Sequence, residues 1–136
     1  MESNQEADPG DINHTAFLMP ILRLHGTDSE IYINALRFLD NAFKPDGAYG
    51  NNNEAHTAAS ALSAFICAYG EGEIVEKAKE ALALFTVQSG DGFAALQGGK
   101  RDAVSTWQGA ISLGDYKKKE CVWCQILNIN VDLWEE

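Results

Sequence analysis

The chain has 136 residues, of which 46% are hydrophobic and 22% are charged, a composition typical of a single folded domain. Its 20 acidic and 10 basic residues give a net charge of −10, which argues against binding to nucleic acid or to an anionic membrane surface. No apolar run approaches the roughly 18 residues of a membrane span, and the first residues lack the basic and apolar regions of a signal peptide. We therefore expect a cytoplasmic protein with no membrane span.

Two helices of different character are predicted in the first third of the chain. Residues 15–24 are mostly apolar, and Pro20 is expected to kink this helix or to interrupt its hydrogen bonds. Residues 28–43 carry one apolar stripe and are predicted to form an amphipathic helix. Thr27 and Glu30 have the spacing of a capping box at its start.

The same two kinds of helix alternate further along the chain. Residues 57–68 and 106–113 contain no charged side chain, and a helix that is apolar nearly all round is expected to be buried on all sides. Between them, residues 73–85 place apolar side chains at helical spacing among glutamates and lysines, which predicts a helix with one wet face. Such an inner layer of helices covered by an outer layer is typical of an α/α solenoid or ring.

Two short signals recur and mark an internal repeat. Asp46-Gly47 and Asp91-Gly92 lie 45 residues apart and predict turns from an outer to an inner helix, with glycine in a positive φ conformation. The polar residues of the second signal, Asp/Asn-x-x-His/Ser-Thr, are expected to cap the inner helices. This signal occurs three times, each time before an apolar stretch, and its copies begin at Asp11, Asn53 and Asp102.

Residues 88–93, Gln-Ser-Gly-Asp-Gly-Phe, resemble the Gln-x-x-Asp-Gly-aromatic repeat of terpenoid cyclases, and residues 44–57 resemble a weaker form of it. This superfamily includes squalene–hopene cyclases, protein prenyltransferase β subunits and thioester-containing complement-type domains. The resemblance implies an α/α toroid whose inner helices line an apolar cavity. Residues 11–114 supply roughly two and a half of the about six helix pairs of such a ring. The expected fold is therefore all-α, a partial α/α toroid.

The catalytic residues of this superfamily do not carry over to the chain. The acidic Asp-x-Asp-Asp motif of the cyclases is absent, and so is the Asp-x-Cys element with which the prenyltransferases hold zinc. Only their Asp-x-x-His-Thr element is matched, at Asp11, His14 and Thr15. Because function depends on a site and not on a fold, these gaps favour a protein that is not an enzyme.

His14 and His56 occupy equivalent repeat positions at the starts of inner helices, and in a ring they would share one rim. Together with Asp11 or Glu54 they have the chemistry of a metal site, and zinc is the one cofactor that this pattern leaves open. The alternative, which we favour, is that each histidine caps its helix as Ser105 does in the third copy. We therefore expect no bound cofactor.

Four further side chains are candidates for the mouth of an apolar cavity, namely Tyr49, Phe93, Trp107 and Gln108. In the family that the chain resembles, the aromatic residue after Asp-Gly mainly stacks between repeats, so packing is the expected role of Tyr49 and Phe93. Trp107 replaces the alanine found at this place in the other two copies, and this departure from the repeat favours a role in ligand binding.

The two ends of the chain do not repeat. Residues 1–10 are polar and predict a flexible N-terminus, and residues 115–136 are predicted to form a tail or cap. Apolar residues alternate with asparagine and aspartate over residues 126–134, which is typical of a strand or an extended arm that packs across an open helical stack or pairs with another chain. Cys121 and Cys124 are predicted to be structural, the alternatives being a disulfide or a bound metal.

These observations predict a binding or interaction module. The concave face of its inner helices would hold an apolar ligand, a peptide or a second copy of the chain, because an incomplete ring exposes inner-helix surface that a full ring buries. One alternative is an enzyme of prenyltransferase or terpene-cyclase type that is completed by oligomerisation or by a partner subunit. Another is a fragment of a longer repeat protein.

Overall fold

The computed structural model describes residues 9–43, 54–123 and 125–126, with side chains from residue 12 onward. Across these residues every regular element is an α-helix, which confirms the predicted all-α class. The helices are α1 (Pro9–His25), α2 (Glu30–Ala42), α3 (Ala55–Tyr69), α4 (Glu73–Ala83) and α5 (Ala103–Lys118). None of them is both long enough and apolar enough to cross a membrane.

Helix α3 lies at the centre of the molecule and packs against α1, α4 and α5. Helix α2 packs mainly on α1, and α4 packs mainly on α3, so α1, α3 and α5 form one layer. The three helices of this layer run in the same direction, because one cavity contacts the middle of each helix and another contacts the C-terminal end of each. Layer helices and covering helices therefore alternate along the chain.

Helix α3 is the most completely buried element, as its lack of charge predicted. Ten of its 15 residues are buried, and Leu62 and Phe65 have no exposed surface. Half of these buried residues are alanines, whose small side chains let neighbouring helices approach closely. Each of the larger buried side chains contributes roughly 1.5–3 kcal/mol to the stability of the fold.

The prediction that residues 106–113 are buried on all sides is wrong. Helix α5 has one buried face, and Trp107 on another face is 60% exposed. Helix α1 likewise leaves four large apolar side chains exposed, namely Phe17, Leu18, Ile21 and Leu24. Both helices lie at an edge of the layer, with α3 on one side only, so an uncharged sequence does not lead to complete burial there.

Helices α2 and α4 are amphipathic, as predicted, and each buries one stripe of side chains. The predicted capping box at Thr27 is wrong, because α2 begins at Glu30, two residues later than expected. Ser29 caps it instead, and its Oγ accepts a hydrogen bond from the N–H of Tyr32 at 3.2 Å. The buried stripes are Tyr32, Leu39 and Ala42 in α2 and Val75, Ala78, Ala81 and Leu82 in α4.

Helix α1 is longer than predicted. It begins at Pro9, inside the segment expected to be flexible, and continues through Pro20 to His25. Proline suits the first turn of a helix, where its missing N–H would have no partner within the helix. Residues 1–8 lie outside the described residues.

The connection between α4 and α5 carries the Gln-x-x-Asp-Gly-Phe motif and places Phe93 in the core. An isolated β-bridge pairs Phe93 with Thr86. The N–H of Phe93 donates to Thr106 Oγ1 at 3.0 Å, and the ring lies directly against Gly109 of α5. The motif thus fastens the connection to α5 through the ring of Phe93 and through its main chain, whose carbonyl also accepts a hydrogen bond from the N–H of Asp102 at 2.8 Å.

Gly92 is needed for space and not for a positive φ, which corrects the expectation for this turn. The positive φ, 78°, belongs to Gly90. A Cβ on Gly92 would lie 2.8 Å from Thr106 Oγ1 and 3.0 Å from Arg101 Nε, distances too short for ordinary contacts. Only glycine lets the turn approach the start of α5 this closely.

The N-terminal ends of α3 and α5 are capped by different groups. At α5, Asp102 Oδ2 accepts hydrogen bonds from the N–H and the hydroxyl of Ser105, at 2.9 and 2.7 Å. Ser105 is therefore a donor to the cap and not the cap, contrary to the prediction. At α3 the N-cap residue is Glu54, with no side-chain cap, and the first N–H, of Ala55, donates to the carbonyl of Ala95 at 2.9 Å.

Some predicted features lie outside the described residues, namely the first Asp-Gly turn at residues 46–47, Cys124 and the alternating arm from residue 127 onward. The domain boundary predicted after residue 114 falls inside α5. That helix ends at Lys118, and Lys119 follows in the left-handed conformation with φ of 59°.

Gly109→Ala is expected to destabilise the protein by about 1–3 kcal/mol, because the added methyl group would lie 2.5 Å from the Phe93 ring. Gly114→Ala in the same helix has no atom within 4 Å of the new Cβ and is expected to stabilise it by about 0.5–1 kcal/mol through helix propensity. Urea unfolding of both variants measures the contrast, and equal effects would contradict the packing of Phe93 on α5.

Candidate functional site

A groove, the inner groove, lies between α1, α3, α5 and the segment that follows α5. Its cavity measures about 110 Å³, somewhat smaller than the roughly 150 Å³ of an apolar cavity that binds benzene. The lining is mostly apolar, with three serines and one glutamine: Ala16, Phe17, Pro20, Ala59, Ser60, Ser63, Ala64, Trp107, Gln108, Ile111, Ser112, Cys121 and Trp123.

Three exposed aromatic side chains form the rim of the inner groove. Phe17 of α1 is 65% exposed, Trp107 of α5 is 60% exposed, and Trp123 after α5 is 39% exposed. Phe17 and Trp123 contact each other, with ring centroids 6.2 Å apart. Because large aromatic side chains contribute strongly to binding when they become buried, the rim offers surface that an apolar ligand can cover.

The floor of the inner groove contains Ala59, Ser63 and Ser112, and a chain of oxygen atoms continues from them to Asp115, which lies behind the lining. Asp115 Oδ2 lies 2.9 Å from Ser63 Oγ, which in turn lies 2.9 Å from Ser112 Oγ. Ser112 Oγ donates to the carbonyl of Ala59 at 2.6 Å. Since Ser112 and Asp115 are only 2% and 3% exposed, most of this chain lies out of solvent.

The chain contains three close oxygen–oxygen contacts, and each contact needs one hydrogen. The two serine hydroxyls supply two of them, and the carboxyl of Asp115 supplies the third only when it is protonated. Burial raises the pKa of Asp115 to about 6, against the opposing effect of its hydrogen bond with Ser63, and the nearby Cys121 raises it further. Burial and the shortage of hydrogens favour the neutral acid, whereas the hydrogen bonds from Ser63 and from the N–H of Val122 favour the carboxylate, so both forms are populated near pH 6.

Asp115 also holds the segment after α5 in place. Its Oδ1 accepts a hydrogen bond from the N–H of Val122 at 3.1 Å, and its main-chain carbonyl accepts one from the N–H of Glu120 at 3.3 Å. The left-handed conformation of Lys119 turns the chain back toward the helix. Because Trp123 directly follows Val122, the carboxyl that ends the floor also positions one side of the rim.

The structure brings two of the four predicted cavity residues, Trp107 and Gln108, to the inner groove. Phe93 lies elsewhere, buried in the core against α5, which is a packing position. Tyr49 lies outside the described residues. Gln108 Oε1 is buried and accepts no hydrogen bond from any described residue, so the lining keeps one unused acceptor.

The candidate metal ligands do not converge in the described part of the chain. His56 Nδ1 lies 3.2 Å from Glu54 Oε2, and His14 is exposed on α1. His56 is the second residue of α3, so it does not cap that helix as predicted. No three described cysteine, histidine, aspartate or glutamate side chains come close enough to share a metal ion. The side chain of Asp11 is not among those described.

A second cavity, of about 530 Å³, lies at the C-terminal ends of α1, α3 and α5. Arg23, on its wall, donates a hydrogen bond to the carbonyl of Cys67 near the end of α3. Lys119 Nζ lies 2.7 Å from Glu71 Oε2. Both cations are already paired, Arg23 with a helix carbonyl and Lys119 with a carboxylate, so the inner groove with its exposed aromatic rim is the stronger candidate site.

Sequence reasoning missed the polar floor and two of the three rim residues. Ser112 and Asp115 are three residues apart and therefore share a face of α5, and Asp115 is the first charged residue after Asp102. This spacing was the available signal for the floor. Phe17 and Trp123 had no such signal, because only the fold brings them together.

Comparison with known proteins identifies no relative, since no protein-family model, no curated protein and no solved structure matches the chain. The geometry of the inner groove is therefore the basis on which function is inferred.

Asp115→Asn is expected to remove a pH dependence of stability. Asp115 binds its proton with a pKa of about 6 in the folded state and 3.8 in the unfolded chain, so the folded state holds more protons between these values and its stability falls as the pH rises. For this one group the fall between pH 5 and pH 7.5 is about 1.4 kcal/mol. Urea unfolding of both proteins at the two pH values measures it.

Glu80→Gln, at an exposed carboxylate on α4, is the matched control and should keep the pH dependence of the wild type. If the stability of Asp115→Asn falls with pH as steeply as that of the wild type, the buried carboxyl does not carry the raised pKa.

Proposed function

We propose that this chain is a non-catalytic binding module that holds a small, uncharged, apolar molecule in the inner groove. The observation that carries this proposal is the groove itself, an apolar cavity of about 110 Å³ whose rim exposes Phe17, Trp107 and Trp123. Clustered exposed aromatic side chains around a concave apolar surface are typical of binding sites.

The dimensions and charge of the protein favour a small neutral ligand over a peptide or an anion. A cavity of about 110 Å³ accommodates about one ring or a short branched chain, with the open side of the groove left for the rest of the molecule. A bound peptide helix needs anchor pockets along two or more turns. The net charge of −10 disfavours anionic ligands.

We also propose that the layer of α1, α3 and α5 is part of an α/α toroid of the terpenoid cyclase and prenyltransferase type. Three parallel helices in one layer, covered by α2 and α4, support this interpretation. So does the position of the groove, since the inner helices of a toroid line its cavity. The absence of the Asp-x-Asp-Asp and Asp-x-Cys motifs favours binding over catalysis.

A second copy of the chain is the alternative occupant of the groove. Leu18, Ile21 and Leu24 are 44%, 49% and 42% exposed on α1, the helix that carries Phe17, and an apolar edge of this kind favours contact with another chain. Native mass spectrometry separates the two proposals. A dimer that excludes an apolar probe would replace the small molecule by a second copy, and a monomer that binds the probe supports the small molecule.

Trp107→Ala is expected to weaken the binding of N-phenyl-1-naphthylamine, a neutral fluorescent apolar probe, roughly tenfold, because it removes a large rim side chain. Trp107 is 60% exposed, so the fold should tolerate the change. Titration of the protein with the probe, followed by probe fluorescence, measures the dissociation constant.

Val104→Ala is the matched control, since Val104 lies on the same helix, is 59% exposed and does not line the groove. The proposal requires this control to bind like the wild type. A wild-type protein that fails to bind the probe, or two variants that lose affinity equally, would refute it.

A further inference from the structure

We propose that ligand binding in the inner groove is coupled to a proton on Asp115, so that the groove holds an apolar ligand tightly only while this carboxyl is neutral. The inference rests on the proposed function and concerns the regulation of the same site. It follows from the number of hydrogens available at the floor of the groove.

With a neutral Asp115 the floor is a continuous chain of hydrogen bonds. Protonation reverses the contact in which Ser63 donates to Asp115 Oδ2: the carboxyl O–H then donates to Ser63 Oγ, Ser63 donates to Ser112 Oγ, and Ser112 donates to the carbonyl of Ala59. Every hydroxyl hydrogen is then used within the chain. A floor with no unused donor can be covered by an apolar ligand without the cost of burying an unpaired polar group.

Loss of the proton leaves three contacts and two hydrogens. Ser63 then donates to the carboxylate, and the single hydrogen of Ser112 serves either Ser63 or the Ala59 carbonyl. One pair of oxygens, 2.9 or 2.6 Å apart, is left without a hydrogen between them and repels. Rotation of a serine side chain relieves this repulsion, and both serines line the groove, so ionisation makes the floor more polar.

Two charged or titratable side chains act electrostatically on Asp115, and one of them, Cys121, also lines the groove. From its own helix, Lys118 favours the charged form; from the segment after α5, Cys121 disfavours it. Helix α3 presents the uncharged Ser63. None of the histidines lines the groove.

A bound apolar ligand also favours the protonated form of Asp115. It covers Ser63 and Ser112, and only the protonated carboxyl leaves both of these hydroxyls fully matched, so the ligand favours the protonated form. Binding is therefore accompanied by proton uptake, and by thermodynamic linkage the affinity falls as the pH rises. Because one proton is involved, the fall cannot exceed about tenfold per pH unit.

The test is a titration of the wild-type protein with N-phenyl-1-naphthylamine at pH 5 and at pH 7.5, a range in which the probe does not change its charge. The apparent dissociation constant is expected to be at least about fivefold larger at pH 7.5. A single proton with a pKa of about 6 limits the increase to roughly thirtyfold.

Asp115→Asn reproduces the neutral acid, because the amide donates from Nδ2 to Ser63 and accepts the N–H of Val122 at Oδ1. It is expected to bind the probe at both pH values as tightly as the wild type does at pH 5.

Ser112→Ala removes the second hydroxyl, so an ionised Asp115 no longer leaves a contact without a hydrogen. The apparent dissociation constant of this variant is therefore expected to rise by a smaller factor between pH 5 and pH 7.5 than that of the wild type. Glu80→Gln is the control and should behave like the wild type.

The outcomes separate this inference from the proposed function. Equal binding of the probe by the wild type at both pH values overturns the coupling and leaves the proposed function intact. A pH dependence that persists in Asp115→Asn overturns the assignment to this carboxyl, as does an unchanged pH dependence in Ser112→Ala should the asparagine variant fail to fold. Absence of probe binding at either pH overturns the proposed function itself.

Discussion

The burial of α3 is the constraint on which the rest of the structure depends. A helix without charged side chains is stable in water only when other elements cover it, and α1, α4 and α5 do so. Its first residue, Ala55, is buried as well, so the main-chain N–H there needs a partner from elsewhere in the chain. Ala95 supplies a carbonyl to the first N–H of α3, and Arg23 supplies a donor to the carbonyl of Cys67.

The same arrangement creates the groove and explains its polar floor. Helix α3 presents Ala59 and Ser63 to the groove, while α1 and α5 expose aromatic side chains at the edges of the layer. Buried hydroxyls next to a carboxyl are stable only when every donor and acceptor is matched. Asp115 ties α5 to α3 through Ser63, so this side chain contributes to the stability of the layer next to the groove.

Hydrogen bonds of Asp115 link the floor of the groove to the segment after α5, which carries one side chain of the rim. Asp115 binds Ser63 with one carboxyl oxygen and the N–H of Val122 with the other, and Trp123 follows Val122 directly. The same carboxyl therefore contacts the floor and holds the segment that carries Trp123, whose ring packs on Phe17. The coupling proposed for the ligand and the proton acts through the hydroxyls of Ser63 and Ser112 and needs no rearrangement of the helices.

The sequence by itself determined where the helices lie and which of them are amphipathic, because hydrophobic periodicity is a local property of the chain. It also pointed to Trp107 and Gln108. It did not determine that residues 106–113 lie at an edge, since an uncharged helix looks the same whether neighbours cover one side of it or three. The tertiary structure alone decided that Gly92 is required for close approach, and it alone paired Asp115 with Ser63 across 52 residues. That pairing depends on how α5 packs against α3, which no local pattern of residues records.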